Sequence, residues 1–404
     1  MARSKLVLPI IVVSQFCCTS LWFAGNSVVS DLVTNFNLSD NALGHLTSAV
    51  QFGFIIGTLV FAILTIADRF SPSKVFFISA LLGATFNIGT VWDENNLTSL
   101  LLLRFSTGFF LAGIYPIGMK IATDYYKEGL GKSLGFLVGA LVIGTAFPHL
   151  LKGLSDNIRW EFVLTATSLL ALLGGSLMVA LIPNGPYRTT GASLDLSAFA
   201  KVFRNRDFRN AALGYFGHMW ELYTFWALVP IMLTIYDDIH TQTTFNIPVL
   251  SFFIIGIGGL ACVLGGYLAQ SFGTKRIAFL ALLLSGVCCL ISPFLLTLNL
   301  EIVFIAFLLF WGLVVVADSP LLSTLVAQNA IPKLKGTALT IVNCIGYSVT
   351  IISIQLISMM RQITDSYAIY LLLALGPISG LIALGQKIQP AELRDEKVRE
   401  ATET

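Results

Sequence analysis

The sequence predicts an all-α integral membrane protein: 12 transmembrane helices arranged as two pseudo-symmetric six-helix bundles. Three observations carry that reading. Hydrophobic residues make up 56% of the 404 and charged residues only 11%, with a mean hydropathy of +0.83, too little charge to coat a soluble chain of this length. Apolar stretches of spanning length recur along the whole chain, and a bilayer core needs about 20 such residues per helix. Finally, the cations alternate: 20 of the 24 Lys and Arg fall in every second loop, three in the opposite loops, and Arg104 inside a segment.

The segments follow in order, each bounded by polar residues. The first, 6–30, begins after Arg3 and Lys5 and continues through Trp22 without a cleavage site, so it reads as a span rather than a signal peptide. The second, 45–67, stops at Asp68-Arg69, and the third, 74–92, starts at Lys74. The fourth (98–119), fifth (132–151) and sixth (160–183) complete a first unit, 1–183. A polar stretch at 184–209, rich in Gly, Ser, Thr and Arg, reads as a central linker on the cytoplasmic side. Segments 210–235, 247–271, 276–298, 301–327, 336–358 and 366–386 form the second unit, 210–386, and 387–404 is left as a cytoplasmic tail. The charge bias places both termini in the cytoplasm, and the whole chain in a cell membrane, inner or plasma.

The two units repeat one another. "ADRFSPSK" (Ala67–Lys74) and "AQSFGTKR" (Ala269–Arg276) follow corresponding segments, and Gly108 and Pro116 recur 204 residues later as Gly312 and Pro320. "LGKSLG" (Leu130–Gly135) matches "LKGTAL" (Leu334–Leu339), and Trp22 matches Trp220 at an offset of 198. Four matches in order at nearly constant offset indicate duplicated halves, an architecture common among transporters.

These residues resemble the major facilitator superfamily. "GYLAQSFGTKR" (Gly266–Arg276) is similar to the family's loop motif after the second helix, with Gln270 in place of the acid. The first-half copy keeps Asp68, Arg69 and Lys74 but lacks the glycines. Arg104, Gly108, Ala112 and Gly113 are similar to the fourth-helix motif, and "YKEGLGKSLG" (Tyr126–Gly135) to the loop before the fifth helix. The resemblance implies a solute transporter in which the loop motif latches the halves together. Asp68, Arg69, Lys74, Gln270, Gly273, Lys275 and Arg276 are then gating candidates, against the plainer reading that the cations only anchor topology. It also implies that the first and seventh helices line a central cavity, with the tenth flanking it.

Ionisable groups inside a bilayer are costly and tend to line pathways. Glu221 lies past mid-membrane on the seventh segment, about 18 Å beyond Arg209 at about 1.5 Å per residue. His218 precedes it by three residues, and Trp220, Tyr223 and Trp226 add aromatic surface, so this stretch reads as a substrate and proton site. The plain alternative is a structural His–Glu pair. Asp318, beside helix-breaking Pro320, is a second proton or cation site or a structural pair. Arg104 could hold an anionic group, snorkel to the headgroups, or pair with a helix C-terminus. Gln15, Asn26 and Gln51, with Trp22 and Tyr115, are cavity candidates, although buried amides often only bridge helices. Gly135, Gly139, Gly144 and Pro148 of the fifth segment, followed by His149, read as small-residue packing.

The leading function is secondary active transport of a small organic solute by alternating access, coupled to protons. A passive facilitator or a transporter-like sensor is the alternative. An intramembrane enzyme would need an HExxH helix, clustered acids or a Ser/Lys pair in suitable context; no HExxH occurs, and the isolated acids form no aspartate-rich motif. With no phosphate-binding loop, ATP drive within this chain is not expected. The expected partners are the solute, protons and lipid, with no nucleic acid, cofactor or metal, and the chain is expected to be monomeric. The six cysteines all lie in apolar segments and read as packing residues.

Overall fold

The computed structural model describes residues 2–39, 41–126, 130–154, 158–188, 198–240, 244–331 and 334–386. The expected tail 387–404 and part of the expected linker, 189–197, lie outside the described residues. Each apolar stretch is occupied by a helix or by helical pieces in line. These are α1 (Ala2–Thr19), α2 (Ala24–Ser27), α3 (Val29–Asn35), α4 (Ala42–Ile63), α5 (Ile66–Arg69), α6 (Pro72–Gly89), α7 (Leu97–Leu111), α8 (Tyr115–Tyr125), α9 (Leu130–Gly153) and α10 (Trp160–Leu181). After α11 (Ala198–Arg204) come α12 (Arg206–Ile239), α13 (Ile247–Phe272), α14 (Thr274–Thr297), α15 (Glu301–Ala317), α16 (Ser319–Asn329) and α17 (Lys335–Ile363), then a 3-10 segment (Tyr367–Ala374) leading into α18 (Leu375–Leu384). Ten of the described helices or in-line helix pairs are long and apolar enough to cross a membrane, and Leu6–Thr19 is a shorter apolar helix.

Several of the expected spans differ from single straight helices. The fourth breaks between α7 and α8, and the tenth between α15 and α16. Proline supplies the reason in both. The rings of Pro116 and Pro320 cannot sit against the carbonyls four residues back and bring no N–H, so a new helix starts at each. The first span breaks over Ser20–Phe23 without proline. There the Thr19 and Ser20 hydroxyls bond back to the carbonyls of Gln15 and Cys17, competing with the helical ladder. The seventh span is longer than expected: α12 begins at Arg206, inside the stretch read as linker, because Asn205 caps it through the N–H groups of Asp207 and Phe208.

The same packing occurs twice. α4 lies on α7 as α13 lies on α15, and α1 contacts α9 and α10 as α12 contacts α17 and α18. The closest approach repeats at the offset of the sequence repeat. A methyl group on Gly108 would run into the carbonyl oxygen of Val50, and one on Gly312 into that of Ile254. Between the first and second halves of the chain, contact is made by α9 with α13 and by α4 with α17. Gly139 and Gly259 face each other across the first of these seams.

Candidate functional site

A cavity of about 530 Å³ lies between the halves, walled by α8, α9, α12, α16 and α17. At its mouth Thr123, Gln328 and Lys335 are exposed, and Lys120 lies beside them. Its closed end is aromatic. Tyr223 and Tyr347 join hydroxyls at 2.9 Å, and Trp226 stands edge-on to Tyr223 with ring centres 5.1 Å apart. Trp22 stacks behind both tyrosines at 5.7 and 5.9 Å, and Phe54 packs on Tyr347 at 4.6 Å. Further from the mouth, Gln355 Nε2 donates to Gly44 O at 2.9 Å and Ser48 Oγ at 2.8 Å, tying α17 to α4.

The break in the tenth span carries a buried ionisable pair. Asp318 is the N-cap residue of α16, and its Oδ1 lies 2.8 Å from His218 Nδ1 of α12. The two residues are 0% and 1% exposed, yet their chain neighbours Ser319 and Met219 line the cavity. Neither His218 Nε2 nor Asp318 Oδ2 has a hydrogen-bond partner among the described residues. Glu221 faces away from this pair, toward α14 and α15. It accepts from Trp311 Nε1 at 2.6 Å, Ser285 Oγ at 3.0 Å and Cys289 Sγ at 3.2 Å. Residues three apart on a helix are offset by about 60° around the axis. That is enough to send His218 and Glu221 to different neighbours, so they do not pair with each other.

Of the residues singled out in the sequence, Tyr115, Tyr223 and Trp226 line the cavity, and Trp22 backs its closed end. Trp220 points elsewhere, its Nε1 donating to Leu372 O at 2.9 Å. Arg104 is buried and does not snorkel. It donates to the carbonyls of Leu21 and Trp22 at the break in the first span, and to Asn87 Oδ1 at 3.3 Å. The backbone groups freed by the break are thus satisfied by a charged donor. Asn26 bridges to Thr47 Oγ1 at 2.7 Å. Gln15 faces Gly118, where any larger residue would collide with its amide oxygen. The side-chain amides of Gln15 and Gln51 have no hydrogen-bond partner among the described residues.

The gating candidates separate as well. Asp68 lies 2.9 Å from Lys120, which also reaches Asp124 at 3.7 Å, and Arg188 donates to the carbonyls of Asp68 and Phe70 at 2.8 Å. Arg69, Lys74, Gln270 and Arg276 are exposed. Lys275 donates to Gln386 O at 2.8 Å, and Gly273 holds φ +90°, a turn that glycine makes without strain. Lys120, Tyr215, Ser319, Asn343, Lys335 and Tyr347 also line the cavity and were not singled out by sequence reasoning. One signal was available: Ser319 stands 204 residues after Tyr115, at the same step of the repeat.

Comparison with known proteins places this fold. The Major Facilitator Superfamily profile fits residues 11–354. This chain belongs to that superfamily. Among solved superfamily structures, it is similar to a proton:xylose symporter bound to 6-bromo-6-deoxy-D-glucose, at 14% identity and a TM-score of 0.73, covering 94% of this chain and 95% of the other. It is also similar to a bacterial homologue of the human lysosomal transporter Spinster, solved inward-facing and unoccupied. That match has 14% identity and a TM-score of 0.62, over 95% and 94% of the two chains. At such identity the likeness concerns the fold. A search of curated protein sequences gave no match. The superfamily carries small-molecule solutes, so this member is a multi-pass membrane transporter and not an enzyme.

Proposed function

We propose that this transporter moves a small organic solute through the central cavity by alternating access, driven by protons that bind at the His218–Asp318 pair. The observation that carries the proposal is where the pair sits. Two ionisable groups are sealed at a helix break, each one residue from the cavity wall, and each keeps a buried polar atom without a partner among the described residues. Buried ionisable groups of this kind are costly unless function retains them. A proton gained or lost there changes the charge at the junction of α15 and α16, next to Ser319 and Pro320 of the wall. Glu221, about one helical turn further along α12, faces α14 and α15 and is a separate buried carboxyl, held by Trp311, Ser285 and Cys289.

The positive-inside bias turns the Lys120 and Lys335 mouth to the cytoplasm, so this conformation is open inward. The aromatic layer and the Gln355 bonds then form the outer closure. Residues 1–183 and 210–386 act as two rocking units, hinged on the α9–α13 and α4–α17 seams.

The test is a proteoliposome assay with an imposed pH gradient, using a solute found by thermal-shift screening of a panel. Asp318→Asn is expected to lose gradient-driven accumulation while retaining solute counterflow. Wild-type accumulation by that variant would remove the pair from the mechanism.

A further inference from the structure

We infer that the solute is an organic anion with an apolar body, its acidic group held at Lys335 and Lys120 and its body seated against the tyrosine-lined closed end. The inference rests on the transport reading and names the substrate class of the same cavity.

Three features of the wall point the same way. Its charged side chains among the described residues are both ammonium groups, Lys120 and Lys335, and no carboxylate lines it. Lys335 opens α17, where the helix dipole is positive and a cation is unfavourable. It has no ion pair among the described residues and stands exposed at the mouth, so local helix stability does not account for it. In addition, two half-helices begin at the wall. Tyr115 and Ser319 start α8 and α16, and both line the cavity; the α16 end already carries the Asp318 carboxylate as its N-cap, so the α8 end is the one without a carboxylate at its cap.

The nearest carboxylates are each engaged behind the wall. Asp68 and Asp124 lie against Lys120, and Asp318 against His218. An aromatic wall alone would also suit a cation held over ring faces. Here the unpaired charge decides against that, because a cationic head entering this cavity would meet Lys335, which has no acid beside it among the described residues, and would find the wall's nearest carboxylates already held by Lys120 and His218. A charge-assisted bond from a lysine to a carboxylate in such a partly dry site favours the anion by about tenfold or more over a neutral head. Lys120 belongs to both the cavity and the Asp68 contact, so a bound anion competes with Asp68 for the same ammonium.

The experiment uses three probes with one body and different heads: phenylbutyrate, phenylbutyramide and phenylbutylamine. Binding to the purified full chain is measured by titration calorimetry at low salt. Phenylbutyrate is expected to bind at least about tenfold more tightly than the other two. Lys335→Gln and Lys120→Gln, made separately, are expected to reduce that preference severalfold through loss of phenylbutyrate affinity. Lys335 is exposed, so its variant is expected to fold even if that of Lys120 does not. Equal binding of the three probes, tighter binding of the amine, or no binding by any of them overturns the proposal. So does an anion preference that survives both substitutions. Flux separates this inference from the transport reading. Lysine-dependent phenylbutyrate binding without counterflow breaks the carrier reading alone. Gradient-driven flux of the amine without the anion breaks the anion assignment alone.

Discussion

The two halves of this transporter share their packing and differ in where they place charge. The close helix approaches at Gly108 and Gly312, and the restarts at Pro116 and Pro320, match at one offset and do the same work. The charged positions do not match. The N-cap residue of α8 is Ile114, whereas that of α16 is Asp318. At the other offset, Ser20 stands where the second half has His218. Arg104, which holds the broken first span together, corresponds to Leu308, and the matching seventh span runs unbroken as α12. The rim is asymmetric in the other direction. Asp68 engages Lys120, while its counterpart Gln270 is exposed. What the halves share is therefore what a tight bundle needs, and what they do not share marks the positions assigned to coupling and gating.

The largest expected effect tests the shared part. Gly108→Leu and Gly312→Leu should each abolish recovery of monodisperse protein, because a side chain at either site must displace a neighbouring backbone. A variant that purifies normally in one half alone would show that the packing is not equivalent. Next comes Arg104→Leu, which gives the first half the residue of the second. It leaves the Leu21 and Trp22 carbonyls buried without their donor, at a cost of about 1–3 kcal/mol for each group. Thermal unfolding in detergent should show a clear loss of stability. A variant as stable as wild type would mean the break does not depend on this residue.

The third prediction separates stability from transport. The double substitution His218→Ser with Asp318→Ile gives the second half the residues of the first. Replacing a buried pair with apolar or small groups is often neutral or stabilising. The double variant should therefore unfold at or above the wild-type temperature and yet fail to accumulate solute under a pH gradient. Asp318→Ile alone should be less stable than the double variant, because it leaves His218 buried without its partner. Accumulation at the wild-type level by the double variant would sink the coupling assignment. The smallest effects belong to the rim. Asp68→Asn removes one partly buried ion pair at the mouth and should shift its solvent accessibility, read by cysteine labelling at Thr123→Cys. Gln270→Ala should move neither labelling nor stability beyond about 0.5 kcal/mol.

Composition, segment spacing and the alternation of cations determined the fold class, because a bilayer admits few solutions for a chain this apolar. The repeat, the prolines at the two breaks and the unusual run from Gly214 to Trp226 were also legible, since each is a local pattern of residue types. The partners of the buried charges were not. His218 and Glu221 are neighbours along one helix, and only the packing of α14, α15 and α16 around it sends one to Asp318 and the other to Trp311, Ser285 and Cys289. The cavity wall was likewise decided by tertiary structure. In sequence Lys120 and Lys335 are only two of the twenty cations in the alternating loops, and they line the cavity because two separate halves bring α8 and α17 to one mouth. Sequence fixes which groups exist and how deep they lie along each helix; which way each one faces is set by neighbours hundreds of residues away.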